Sequence, residues 1–359
     1  MPDDVSAAKP VSPQEFSELM AACWRIGDGA RIAVAVSGGA DSMALCLLLK
    51  RWGDETGVQL SALTVDHGLR NESAAEAEQV ASWLRVRGID HHILNWTDKP
   101  KTRIQERARK ARYDLMQTWC VEHGIDNLFV AHHLEDQAET MLMRLKKRTG
   151  LLGLAGMSAR REGDKIDIIR PLLSISKARL LASLENFGQD WVEDPSNQNP
   201  AYERVRTRQL LKGLAREGVD AERLGGTAYA LGRLRRTLAR HADGLIANAT
   251  LSEKPLRLDY EIFVQAPETL QEIALGRVLR AIGGQDYVPA PAKVERLCMW
   301  LRATGQVGPI ARTLGGCEVR RMQKGGVVSI QISPEGPRGA TKRAQNKDKN
   351  CESGLAPRA

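Results

Sequence analysis

Two hydrophobic periods alternate along the first half of the chain. Residues 31–36 (RIAVAV) are a short β-branched run, which predicts a buried strand, and 58–67 (VQLSALTVDH), 89–96 (IDHHILNW) and 127–133 (NLFVAHH) predict three more strands. Residues 42–52, 72–88, 105–123 and 135–147 carry the helical pattern, and Gly88 and Gly124 stand where two of those helices stop. One more helix is expected over 16–26, after a flexible leader over 1–14. Strands alternating with helices predict an α/β fold, a doubly wound and mostly parallel sheet with helices on both faces. Ligands of such sheets bind outside the carboxyl ends of the strands. Three polar stretches fall there, after the first, second and fourth strands.

The pattern changes at 193–209 (EDPSNQNPAYERVRTRQ), where Pro, Asn and Ser interrupt it and arginines follow. The first domain is therefore expected over 15–215. A second, mainly helical domain is expected over 216–332, interrupted at 250–261. Its last part, CEVRRM and GVVSIQI around Lys324-Gly325-Gly326, predicts a short terminal β-hairpin. Residues 333–359 have hardly any large apolar side chain and predict a disordered basic tail.

Charge sharpens the picture of the partner. The chain holds 52 Lys and Arg against 44 Asp and Glu, a net charge of +8, which suits a polyanion but is weak evidence alone. From Arg204 to Arg240 there are ten basic residues against three acidic ones, and from Lys101 to Arg112 six against one. Such clusters release counterions from a phosphate backbone, although a solvated helix face has the same composition. The six cysteines form no C-x-x-C pair, which predicts a reduced, cytoplasmic protein without a zinc site or disulfide framework. No apolar stretch reaches the roughly 18 residues of a membrane helix, and the first residues do not resemble a secretory signal, so no membrane partner is expected.

The break after the first strand, Ser37-Gly38-Gly39-Ala40-Asp41-Ser42, has neither the lysine of a Walker loop nor Rossmann glycine spacing. It still suits phosphate. Glycines let backbone approach an anion, the next helix points free N–H groups and its dipole there, and two hydroxyls add donors. Asp41 repels phosphate, so it either caps the helix or helps hold Mg²⁺ against a pyrophosphate. Asp66 and His67 end the second strand. In HHLEDQAET, Asp136 and Glu139 are three apart and share a helical face. His132 and His133 can donate to phosphate or base. Zinc is a competing reading, but no third ligand at metal-like spacing is near.

The loop resembles the PP-loop of the N-type ATP pyrophosphatases, which cleave ATP between its α and β phosphates and adenylate an oxygen. Six further stretches, VDHGLR (65–70), RARKARYDLM (107–116), AHHLEDQAETMLMRL (131–145), GLAGM (153–157), RPLL (170–173) and EDPSNQNPAYERVRTR (193–208), occur in order. Together they resemble the tRNA(Ile)-lysidine synthase family over roughly residues 30–210. The resemblance implies the adenine nucleotide α-hydrolase-like fold and an ATP-dependent ligase. It joins L-lysine to C2 of the wobble cytidine, C34, of a CAU-anticodon isoleucine tRNA. It implies ATP and Mg²⁺, with Ser37, Gly38, Gly39, Ala40, Asp41, Ser42, Asp66 and His67 at the nucleotide.

The same resemblance points to Asp41, Asp136, Arg112 and His133 in catalysis, and to Asp136, Glu139, Arg109, Arg204 and Arg206 at lysine and tRNA. Arg109, Arg112 and Tyr113 fit an A-R-x-x-R-Y pattern; an arginine there stabilises charge on the α-phosphate, grips tRNA, or is a structural ion-pair partner. Two stretches depart from the family: KKRTG (146–150) replaces a more glycine-rich turn, and Val205 stands where R-N-R has its amide. A PP-loop tRNA 2-thiolation enzyme and a non-catalytic nucleotide-binding RNA module are the rival readings. The oligomeric state is not fixed by the sequence, and a dimer is open.

Overall fold

The computed structural model describes residues 8–336, except 28–29, 69–72, 98–103, 148–149, 164, 194–202, 286, 304–310 and 325. Much of EDPSNQNPAY and most of the expected tail therefore lie outside the described residues. The chain divides into two units, at Arg233/Leu234. The expected boundary near residue 215 coincides with the end of a helix, α7 below.

The first unit opens with α1 (Pro13–Cys23), β1 (Arg31–Ala35), α2 (Ala40–Thr56), β2 (Gln59–Asp66), α3 (Ser73–Val86) and β3 (Asp90–Asn95). It continues with α4 (Ile104–Glu122), β4 (Asn127–Phe129), α5 (Leu134–Lys146), β5 (Arg160–Arg161), β6 (Asp167–Ile169), α6 (Lys177–Phe187) and α7 (Glu203–Arg216). The sheet order is β3-β2-β1-β4-β6-β5, parallel throughout except for the edge pair β5–β6. This is the doubly wound sheet expected, widened by two short strands. The order turns at β1, between β2 and β4, so the loops leaving β1 and β4 flank the switch point where such sheets open a crevice.

Helix α2 follows the PP-loop and is buried almost throughout; Met43, Leu45, Leu48 and Leu49 are fully enclosed, with α1 and α6 packed over it. Each such leucine contributes about 1.5–3 kcal/mol of apolar burial. This anchoring fixes the helix N-terminus that faces the crevice. Residues 11–14, assigned to the flexible leader, are docked. Val11 is buried and its amide donates to Ser183 Oγ at 2.9 Å. Ser12 caps α1, with Pro13 opening the helix. Arg179 of α6 donates to both Glu15 carboxylate oxygens at 2.7 and 2.6 Å and to the Lys9 carbonyl.

Helix α8 (Ala221–Ala249) runs across the border between units. The second unit continues with β7 (Thr250–Glu253), β8 (Leu256–Asp259), α9 (Tyr260–Gln265), α10 (Glu268–Ile282), α11 (Pro291–Arg302), β9 (Ala311–Leu314), β10 (Cys317–Lys324) and β11 (Val327–Pro334). The terminal hairpin forms as β10–β11. It is the inner pair of a five-stranded antiparallel sheet, β7-β8-β11-β10-β9. The interruption at 250–261 is the β7–β8 hairpin that completes it. Ser333 and Pro334, read as the start of the tail, close β11. Leu258, Phe263, Leu275, Leu279, Val319 and Ile330 form the core of this unit.

Candidate active site

The PP-loop leaves β1 at Val36, whose amide still bonds the Leu63 carbonyl of β2. Gly38 turns with φ +84, and a Cβ there would lie 2.8 Å from Val80 Cγ2, so only glycine fits. Its carbonyl accepts from the Val192 amide at 2.9 Å. Ser42 ties the loop together: its Oγ accepts from the Ser37 amide at 3.0 Å, donates to the Gly39 carbonyl and lies 3.2 Å from Ser37 Oγ. Gly39 is the N-cap of α2 without a side-chain cap, and Ala40 is the first helical residue. The free amides of the first turn are therefore offered to a ligand, the arrangement that binds phosphate.

Because β4 pairs with β1 (Val34 opposite Phe129), the loop leaving β4 lies beside the PP-loop. His133 is the N-cap of α5 and is almost fully buried. Its Nε2 lies 3.5 Å from Asp41 Oδ2 and 3.6 Å from Asp136 Oδ2, and its Nδ1 lies 2.8 Å from Glu135 Oε2. Asp136 Oδ2 also accepts from the His133 amide at 3.1 Å. Burial works against the charged imidazole. The hydrogen bonds to Asp41 and Glu135, with the charges of Asp136 and Asp41, outweigh it and raise the pKa to about 10. His133 is an imidazolium at neutral pH.

Burial likewise pushes the Asp41 carboxyl up, but His133, with Lys177 and Arg208 behind it, holds it below its ordinary value. Lys177 Nζ is 4.0 Å from Asp41 Oδ2, and the Lys177 amide donates to both oxygens of Glu135. Glu135 thus caps α6 and orients His133 with one carboxylate. Glu139, 1% exposed, accepts from Arg208 Nε of α7. Burial raises its pKa above the usual carboxylate value despite the opposing pull of Arg208 and Arg204. Asp41 Oδ1 and Glu139 Oε2 are buried without a hydrogen-bond partner. Buried carboxylate oxygens left unpaired are costly unless a ligand meets them. At Asp41, beside the phosphate loop, that orphan fits a divalent cation.

The structure thus joins Asp41, His133, Asp136 and Glu139 in one constellation. Asp66, His67 and Arg112 form a second cluster, on the β2 side of β1. Asp66 Oδ1 accepts from the Gly68 amide and Ser73 Oγ, which builds the entry to α3. His67 lies edge-on to Trp96, and burial, then the charge of Arg112, lower its pKa against the pull of Asp66. The Arg112 guanidinium sits over the Tyr113 ring. Arg109 belongs to α4, but its side chain lies outside the described residues. On α7, Arg204 and Arg208 are four apart and share a face, whereas Arg206 is exposed on another side. Sequence reasoning did not single out Arg208, Glu135 or Lys177. The spacing of Arg204 and Arg208 was the one available signal.

The His133 charge makes stability pH-dependent with a definite sign. Its folded pKa, about 10, lies above the ordinary 6.5, so the contribution is complete below the unfolded value and fades as pH rises through the folded one. Thermal stability is expected to fall between neutral pH and pH about 10. In His133→Gln that component of the slope should be missing; calorimetry across this range checks it. Equal slopes in both proteins would mean that His133 is not held as a cation.

Residues 10–214 match the model of a family described as a PP-loop domain. The tRNA(Ile)-lysidine synthase of a Bradyrhizobium species is 37% identical over 350 residues, covering 92% of this chain and 96% of that protein. That of Methylobacterium nodulans is 38% identical over 343 residues, 93% and 99% of the two chains. That of Ruegeria pomeroyi is 38% identical over 289 residues, 80% and 68%. Among solved structures, a U34-tRNA thiolase of Methanococcus maripaludis, with its 4Fe-4S cluster, superposes with a TM-score of 0.51 at 18% identity. It covers 63% of this chain and 78% of that one, and its likeness is one of fold. Matched nearly from end to end by two of these relatives, the chain belongs to the tRNA(Ile)-lysidine synthase family.

Proposed function

We propose that this protein ligates L-lysine to C2 of the wobble cytidine C34 of a CAU-anticodon isoleucine tRNA, consuming ATP and giving lysidine, AMP and pyrophosphate. The observation that carries the reading is the joining of PP-loop Asp41 to His133 and Asp136 in one crevice, with buried Glu139 beside them. A phosphate loop alone binds nucleotide. A set of carboxylates next to it serves a cationic, proton-losing second substrate.

In the proposed reaction the amides from Gly38 to Ser42 hold the pyrophosphate part of ATP. The cytidine O2 attacks the α-phosphorus, a P–O bond forms, and pyrophosphate leaves with its electron pair. Imidazolium His133, beside the loop, stabilises the charge that develops on the phosphates. Asp41 would hold Mg²⁺ through its unpartnered oxygen; the ion, when bound, neutralises phosphate charge. Asp136 and Glu139 orient the lysine ammonium, whose ordinary pKa near 10.4 makes proton removal obligatory before attack. Asp136 takes that proton, the amine forms the C–N bond at C2, and AMP departs with the oxygen. The base must be unstacked to reach the crevice, at a cost of a few kcal/mol, offset by phosphate contacts from Arg109, Arg112, Arg204 and Arg206 and from a tRNA-binding domain over 216–332.

The thiolation reading needs a reactive sulfur carrier. In the first unit, burial pushes Cys23 up to about 11 and Cys46 and Cys120 up to about 12, and the latter two sit in packed core. Such thiols are poor nucleophiles. No helix among the described residues is long and apolar enough to cross a membrane. Cytoplasmic residence, where the tRNA is, completes the proposal. Incubation with ATP, radiolabelled lysine and unmodified isoleucine tRNA is expected to put label into the tRNA with release of pyrophosphate. Label entering from a sulfur donor and not from lysine would overturn the assignment.

A further inference from the structure

His132 and His133 are neighbours in sequence, but their surroundings differ in kind. His133 has carboxylates at both ring nitrogens. His132 has a guanidinium: Arg170 Nε lies 3.2 Å from His132 Nδ1. Parallel pairing of β4 with β6 places them together. Phe129 is opposite Ile169, the Val130 amide bonds the Ile169 carbonyl, and Arg170 follows at once. Arg170 is 8% exposed and is held on two sides. Its amide donates to the Ala159 carbonyl at 2.7 Å, and its Nη1 to the Ser158 carbonyl at 3.0 Å. On the other side, the His132 amide donates to the Val130 carbonyl at 3.0 Å, which fixes the turn carrying the ring.

We infer that Arg170 is a positioning residue that acts through His132, holding its ring neutral with the proton on Nε2. A guanidinium has five donors, no acceptor, and does not deprotonate in proteins. The nitrogen facing Arg170 Nε must therefore be the acceptor, so Nδ1 carries the lone pair. A second proton on Nδ1 would break that bond and set two cations against each other. The two neighbours then differ in what surrounds them: His133 faces carboxylates beside the PP-loop, and His132 is a neutral ring whose N–H is on the side away from Arg170. In the proposed chemistry that N–H is a donor of fixed direction. The kinetic part rests on the proposed lysidine chemistry; the tautomer does not.

The test is nitrogen-15 NMR of histidine-labelled full-length protein at neutral pH, with the His132 signals assigned by their loss in His132→Gln. The wild type is expected to show a neutral ring protonated at Nε2. In Arg170→Met the Nε2–H preference should be lost, and the kcat of lysine incorporation should fall about 10- to 100-fold, taking the scale from the loss of a partner that orients a metal-bound histidine. His132→Gln keeps a distal N–H but has no Nδ1, so adding Arg170→Met to it should cost little more. Protonation at Nδ1, or a doubly protonated ring, in the wild type overturns the inference. So does an unchanged tautomer in Arg170→Met, or an equal loss in the His132→Gln background. If Arg170→Met fails to fold, the wild-type spectrum still decides. If the tautomer is as expected but no lysine is incorporated by wild type, the functional proposal fails and the positioning role stands.

Discussion

Replacing Asp41 with asparagine is expected to abolish both pyrophosphate release and lysine transfer, by about 10³-fold or more. The expectation comes from the charges around it. Asp41 Oδ2 balances the His133 imidazolium at 3.5 Å and Lys177 at 4.0 Å, while Oδ1 is buried and unpaired. Asparagine keeps the shape and loses the charge. His133 and Lys177 each lose one of the anions facing them, and the orphan position can no longer bind a divalent ion. A loss of 10³ corresponds to about 4 kcal/mol of transition-state stabilisation, the scale set by one misplaced electrostatic group in a desolvated site. Stopped assays for released pyrophosphate and for labelled tRNA check both steps together. Turnover within a factor of about ten of wild type would remove Asp41 from the chemistry.

Replacing Asp136 with asparagine is expected to separate the two steps. The amide oxygen of asparagine can still accept the bond from the His133 amide, so the start of α5 should survive. What disappears is the base for the lysine ammonium and one of the anions facing His133. Adenylation of the tRNA, read as tRNA-dependent pyrophosphate release, should persist, while lysine incorporation falls at least about 100-fold, in the range of a lost general base. Raising the pH should recover part of it, because more lysine amine is then neutral. Equal loss of both steps, with no gain at high pH, would instead place Asp136 in nucleotide binding.

These residues were legible for a topological reason. The first four strands alternate with helices along the chain, and the loops after β1 and β4 had to meet once β1 and β4 were neighbours. Glu139 followed from its spacing to Asp136. Strands β5 and β6, two and three residues long, are too short to display any period. Helix α6 follows β6 after only seven residues, with no glycine between them to mark its start. Ser12-Pro13, which caps and opens α1, read as leader because proline marks loops as readily as helix starts. Arg208 was invisible as a site residue because its partner Glu139 is brought to it by the packing of α5 on α7. No local rule contains that contact.

Helix α6 carries two attachments in its first turn. The amide of Lys177 receives the carboxylate that aims His133, and two residues later Arg179 grips Glu15 and the backbone of Lys9. The start of the chain is therefore part of the foundation of the crevice. Trimming the protein to the minimal nucleotide-binding core, beginning at the first strand, would leave every proposed site residue in place. It would also release a brace on the helix turn against which His133 is set. The working unit of this fold is larger than the motifs that identify it.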